Sequence, residues 1–123
     1  MRAIFLLILP FLMFGADFIT KKEHASMLYK NPRGIGCNKC HGENGEGILI
    51  SKYKDKNKKT KEIIDKELIS PPINNLTIEQ FKNGLENPKS VMPSYFLTDE
   101  EIVLLYDYVS SLKDKKPKKG AKK

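Results

Sequence analysis

The stretch that most limits how this chain folds is GIGCNKCHGENGEG, Gly34 to Gly47. It carries both cysteines and one of the two histidines in the chain. All three fall in one pentapeptide, Cys37-Asn38-Lys39-Cys40-His41. On a helical turn, positions i, i+3 and i+4 lie on one face. Two sulfurs and an imidazole therefore project to the same side. Glycines before and after leave the backbone open to close approach. Whatever fold forms must keep space on that side.

C-x-x-C-H is the attachment sequence for c-type haem. Two thiols so placed each add to a vinyl group of one porphyrin and form thioethers, and His41 then reaches the iron from the same side. Three other readings compete for these residues. A disulfide between Cys37 and Cys40 suits an oxidising compartment. A C-x-x-C redox pair goes with a strand–helix pattern of thioredoxin type, which the flanking sequence lacks. A structural zinc needs a fourth ligand, and His24 is the only other His or Cys. The expectation is one covalently attached haem c with its iron, in which Cys37 and Cys40 carry the thioethers.

The N-terminus supplies a compartment. Met1-Arg2 is followed by AIFLLILPFLMF, an apolar run shorter than the ~20 residues that span a bilayer. A basic stub, a short apolar core and Gly15-Ala16 before Asp17 read as a secretory signal over residues 1–16, with export to the periplasm. Bulky Phe14 fits the cleavage rule poorly, so an uncleaved anchor is the competing reading. Removing residues 1–16 takes away one charge, Arg2, and lowers the formal balance from +7 to +6. The remaining basic charge gathers in SKYKDKNKKTKEIIDKE and in the tail KDKKPKKGAKK. In an exported protein, such runs point away from nucleic acid. They suit acidic partner proteins or peripheral contact with an anionic membrane surface.

The rest reads as helices joined by long loops. Thr20–Lys30 is a first helix with a Thr20/Glu23 capping box, ended by Pro32. In residues 48–53, Ile48, Ile50 and Lys52 alternate with Leu49, Ser51 and Tyr53 as in a strand or ribbon. Thr60–Ile69 (TKEIIDKELI) reads as a short amphipathic helix. Thr77–Leu85 is another, with Gly84 marking its end. Asp99–Lys113 is the clearest, capped by Thr98 and Glu101, with Ile102, Leu105, Tyr106, Val109 and Leu112 on its apolar stripe. Residues 114–123 have nothing to bury and are expected to be disordered. The domain then covers residues 17–113. Loops this long need something to wrap around.

A second axial ligand decides between electron transfer and an open, reactive iron. The candidates are Met27, Met92 and His24. Met27 sits mid-helix, where a methionine is usually core filler. His24 lies on the charged side of the same helix. Met92, in the irregular segment VMPSY fixed by Pro93, is expected to be the ligand, paired with His41.

CNKCHGENGEG, Pro71-Pro72 and VMPSYFLTDEEIVLLYDYVSSL together resemble small bacterial class I cytochromes c, over residues 18–113. The resemblance implies an all-α cytochrome c fold, with N- and C-terminal helices crossing over the haem. It implies that Ala25 and Tyr29 meet Leu105 and Tyr108 at that crossing. It also implies that a carbonyl of Pro71 or Pro72 accepts the N–H of His41. In function it implies a monomeric one-electron carrier, not an enzyme, running between a quinol-oxidising complex and a terminal oxidase or peroxidase. The rival expectations are a dedicated haem subunit of a larger oxidoreductase and a gas- or peroxide-reactive protein with an open sixth site.

Overall fold

A computed structural model describes residues 18–115. The expected secretory segment lies outside them, as does most of the basic tail. The elements run α1 (Lys21–Lys30), α2 (Cys37–His41), β1 (Leu49–Lys56), β2 (Ile63–Ile69), α3 (Ile78–Glu86) and α4 (Asp99–Ser111).

Threonine starts each of the three longer helices. Thr20, Thr77 and Thr98 accept the backbone N–H of Glu23, Gln80 and Glu101, whose side chains reach back to the cap N–H. Each box satisfies two otherwise orphaned donors and is worth about 1 kcal/mol. α1 ends at Asn31, ahead of the buried Pro32. α3 runs past the expected stop at Gly84 and is capped at Asn87.

The core lies where α1 meets α4. Ala25, Leu28 and Tyr29 bury against a stripe of Ile102, Leu105, Val109 and Leu112. The Tyr29 and Tyr108 rings stack at 5.9 Å between centroids, tilted by 55°. Ala25, Tyr29, Leu105 and Tyr108 thus take the places that the family resemblance gives them. α3 adds Phe81 and Leu85, with Phe81 edge-on to Tyr106 at 5.6 Å.

The all-α expectation needs correction, because the chain contains a sheet. β1 and β2 form an antiparallel hairpin in which Lys52 faces Glu67, Tyr53 faces Lys66 and Lys56 faces Ile63. The helix expected over Thr60–Ile69 is strand β2 and the turn before it. Its apolar residues fall at 63, 64, 68 and 69, a spacing that settles neither period. Three of the four are β-branched isoleucines, which suit a pleated ribbon, and pairing with β1 decides the outcome. Asn57 closes the tip: its N–H donates to Glu62 O at 2.9 Å and its Oδ1 accepts from Lys59 N at 2.9 Å. Both strands are exposed along most of their length, and neither packs extensively on a helix.

Candidate functional site

Helix α2 is a single turn, CNKCH. Gly36 caps it at the start, where a Cβ would stand 2.3 Å from Lys30 O. Gly42 caps it at the end with φ +85°, a conformation that costs other residues strain. The Tyr29 hydroxyl donates to Gly42 O at 2.5 Å, which ties the turn to α1. Burial raises the Tyr29 phenol well above its ordinary range, so it remains a donor. On the other side, the buried Ser70 hydroxyl bonds to Cys40 O and accepts from Ile48 N at 2.9 Å. The turn is held from both flanks.

Cys37, Cys40 and His41 all line one cavity of about 390 Å³. Gly36, Ile50, Leu68, Ile69, Ser70 and Pro71 share its wall with residues of α3 and the segment Lys89–Pro93. His41 is buried, and its Nδ1 lies 2.8 Å from Pro71 O. A carbonyl only accepts, so Nδ1 carries the proton and donates. In the neutral ring, Nε2 then keeps its lone pair. Of the two candidate prolines, it is Pro71 whose carbonyl makes this bond. Pro72 follows it in the chain.

Both thiols are unbridged. Burial pushes the Cys37 thiol up to about 11, so this sulfur is held neutral rather than as a thiolate. A neutral thioether suits the position. Among the described residues, no three His, Cys, Asp or Glu side chains are grouped tightly enough to hold a metal ion by themselves.

Met92 lines the cavity from the loop between α3 and α4, half-buried. His24 and Met27 lie off it. Met27 is 58% exposed, not core filler, and borders a shallow groove beside Phe18 and Ile19. The loop that carries Met92 is pinned twice to the segment before α2. Tyr95, itself on the cavity wall, donates its hydroxyl to Ile35 O at 2.6 Å. Arg33, at φ 62°, donates to Phe96 O at 2.6 Å and makes a two-pronged pair with Glu101 at 2.9 and 2.7 Å. The Arg33 guanidinium, with help from the Thr98 N–H, holds the Glu101 carboxyl down at about 2.

A flat macrocycle fits this setting. The walls are mostly apolar, and large apolar side chains at the cavity lie open, Ile69 at 61% and Val91 at 65%. Gly84, inside α3, borders the space, and a Cβ there would meet nothing within 4 Å. The chain matches the family model described as cytochrome c over residues 23–113. It belongs to the cytochrome c family. The cofactor of this cytochrome is haem c, covalently attached and carrying iron. Neither the curated proteins nor the solved structures gave a match.

Sequence reasoning reached Cys37, Cys40, His41, Pro71 and Met92, and the fold brings all five to one cavity. It missed Ser70, Tyr95 and Arg33. No local pattern marks a serine before Pro71 or an arginine after Pro32. Their partners lie 22 to 68 residues away in the chain.

Proposed function

We propose that this cytochrome is an exported monohaem electron carrier, with Cys37 and Cys40 bearing the thioethers and His41 and Met92 as axial ligands. Haem, when bound, supplies a one-electron iron couple. The observation that carries the reading is the His41 Nδ1–Pro71 O bond, which leaves Nε2 as a donor atom in the cavity that Met92 also lines.

The protein's part is to hold and tune. Pro71 fixes the imidazole ring and its tautomer. The Met92 thioether is soft and neutral; it favours the ferrous state and raises the potential. Apolar walls act in the same direction, because low dielectric disfavours the extra charge of the oxidised state. An unchanged ligand pair in both states keeps rearrangement small. Residues 1–16 serve as the export signal, which places the carrier in the periplasm. There it works as a monomer between a quinol-oxidising donor and a terminal oxidase or peroxidase. Its lysines meet acidic partner surfaces, and it acts as a carrier rather than an enzyme.

Absorption spectra of the purified protein test this, oxidised and reduced, with and without carbon monoxide. The expected result is a methionine–iron charge-transfer band in the oxidised form and no carbon monoxide binding in the reduced form. Met92→Ala should abolish both properties. Ready binding of carbon monoxide by the wild type would sink the His/Met reading in favour of an open iron.

A further inference from the structure

We propose that the β1–β2 hairpin is the arm by which this cytochrome grips the acidic face of a redox partner; this rests on the carrier reading above. β1 has eight residues, which at about 3.3 Å each span roughly 26 Å. The arm makes at most weak contact with the helices and joins the body at its root. That root is the cavity wall: Ile50, Leu68 and Ile69 line it, and Ser70 bonds to Cys40 O.

Charge on the arm is arranged outward. Lys52 pairs with Glu67 at 2.8 Å and Lys66 with Asp55 at 2.5 Å, both across the strands. Lys54, Lys56, Lys58, Lys59 and Lys61 are exposed and make no ion pair among the described residues. Lys52, Lys54 and Lys56 alternate along β1 and so share one face. The other three crown the tip.

A simpler role for such lysines is to stop strand edges from pairing with other copies. It accounts for Lys54 and Lys56. It does not account for Lys58, Lys59 and Lys61, which lie in the turn beyond the strands. An anionic bilayer would also attract the tip. It would gain nothing from the arm being rooted in the cavity wall. A protein that must exchange an electron gains directly, since a body gripping the arm abuts the cofactor's cavity.

The experiment uses the complete haem-loaded protein and reduced flavodoxin, a small acidic flavoprotein, as the probe. One variant changes Lys54, Lys56, Lys58, Lys59 and Lys61 to Gln. A control removes the same charge elsewhere, with Lys21, Lys22, Lys30, Lys113 and Lys115 changed to Gln. Second-order reduction rates are measured across ionic strength. At low salt the hairpin variant should lose roughly tenfold or more, and the control less than about threefold. Both should converge on the wild type at high salt.

Equal losses in the two variants would reduce the effect to net charge and overturn the proposal. So would an unchanged rate in the hairpin variant. Two further outcomes also count against it. One is phosphatidylglycerol vesicle binding that needs the hairpin lysines while the flavodoxin rate ignores them. The other is self-association of the hairpin variant in light scattering with its rate per monomer preserved. The charge-transfer band and the carbon monoxide test, read on the same preparations, report separately on whether the carrier reading itself holds.

Discussion

At the scale of single residues, the site is held by hydrogen bonds that no motif announces. Ser70 is the sharpest case. Its buried hydroxyl serves Cys40 O and Ile48 N together, joining the C-x-x-C-H turn to the start of the hairpin. Ser70→Ala removes the partner of a part-buried N–H, a loss that costs about 1–3 kcal/mol. Guanidinium denaturation of the holoprotein should show that fall in stability with the axial-ligand spectrum intact. No change in midpoint would mean that water replaces the hydroxyl freely. The chemistry-bearing residues were legible because their meaning is local: Cys37, Cys40 and His41 lie within one turn. Ser70 was not, because its value depends on two backbone groups brought to it from 22 and 30 residues away.

Among the elements, the four helices and the start of the first strand were readable, and the second strand was not. The boxes at Thr20/Glu23 and Thr98/Glu101 marked two helix starts, since each is complete within four residues, and the structure adds a third at Thr77/Gln80. Segment 60–69 was misread because its apolar spacing fits neither period, and its fate depends on a partner strand. The loop carrying Met92 depends on its neighbours in the same way. Arg33 and Tyr95 latch it to the segment before α2. Arg33→Gln combined with Tyr95→Phe should loosen it. The reduced double variant should take up carbon monoxide at a measurable rate, which the wild type should not, with haem still attached. An unchanged rate would show that Met92 is held by the cavity alone.

The same latch carries a pH dependence. Glu101 is held at about 2, below the usual 4.5, first by its bond from Arg33. A carboxylate with a depressed folded-state value stabilises the fold above its unfolded value, and that contribution is lost as pH falls through the folded value. The pair is open to water, with Arg33 56% exposed, so screening makes its contribution small. Arg33→Gln should therefore lower stability by a small, measurable amount at neutral pH. The gap should narrow as pH falls from 4.5 towards 2. A gap independent of pH would assign the loss to the Phe96 carbonyl contact instead.

For the whole molecule, the question is whether the chain can close its core alone. The α1–α4 contact buries Tyr29, Leu105, Val109 and Leu112 almost completely. On the cavity side, a space of about 390 Å³ is walled mostly by apolar side chains, among them Ile50, Leu68, Ile69, Val91 and Met92. Haem c would cover that apolar surface, at about 25 cal/mol per Å² removed from water, and a small domain has only about 5–15 kcal/mol of stability in total. Binding the cofactor is therefore part of folding. A Cys37→Ser, Cys40→Ser variant produced without haem should retain helical circular dichroism in part, lose cooperative thermal unfolding and bind a hydrophobic dye. Leu105→Ala in the holoprotein should behave differently. It should cost about 2–5 kcal/mol and still unfold in one sharp transition, because the cofactor layer is in place. A haem-free variant that melted cooperatively within a few degrees of the holoprotein would contradict the argument. It would mean that the helices and hairpin collapse over the cavity and make their own core.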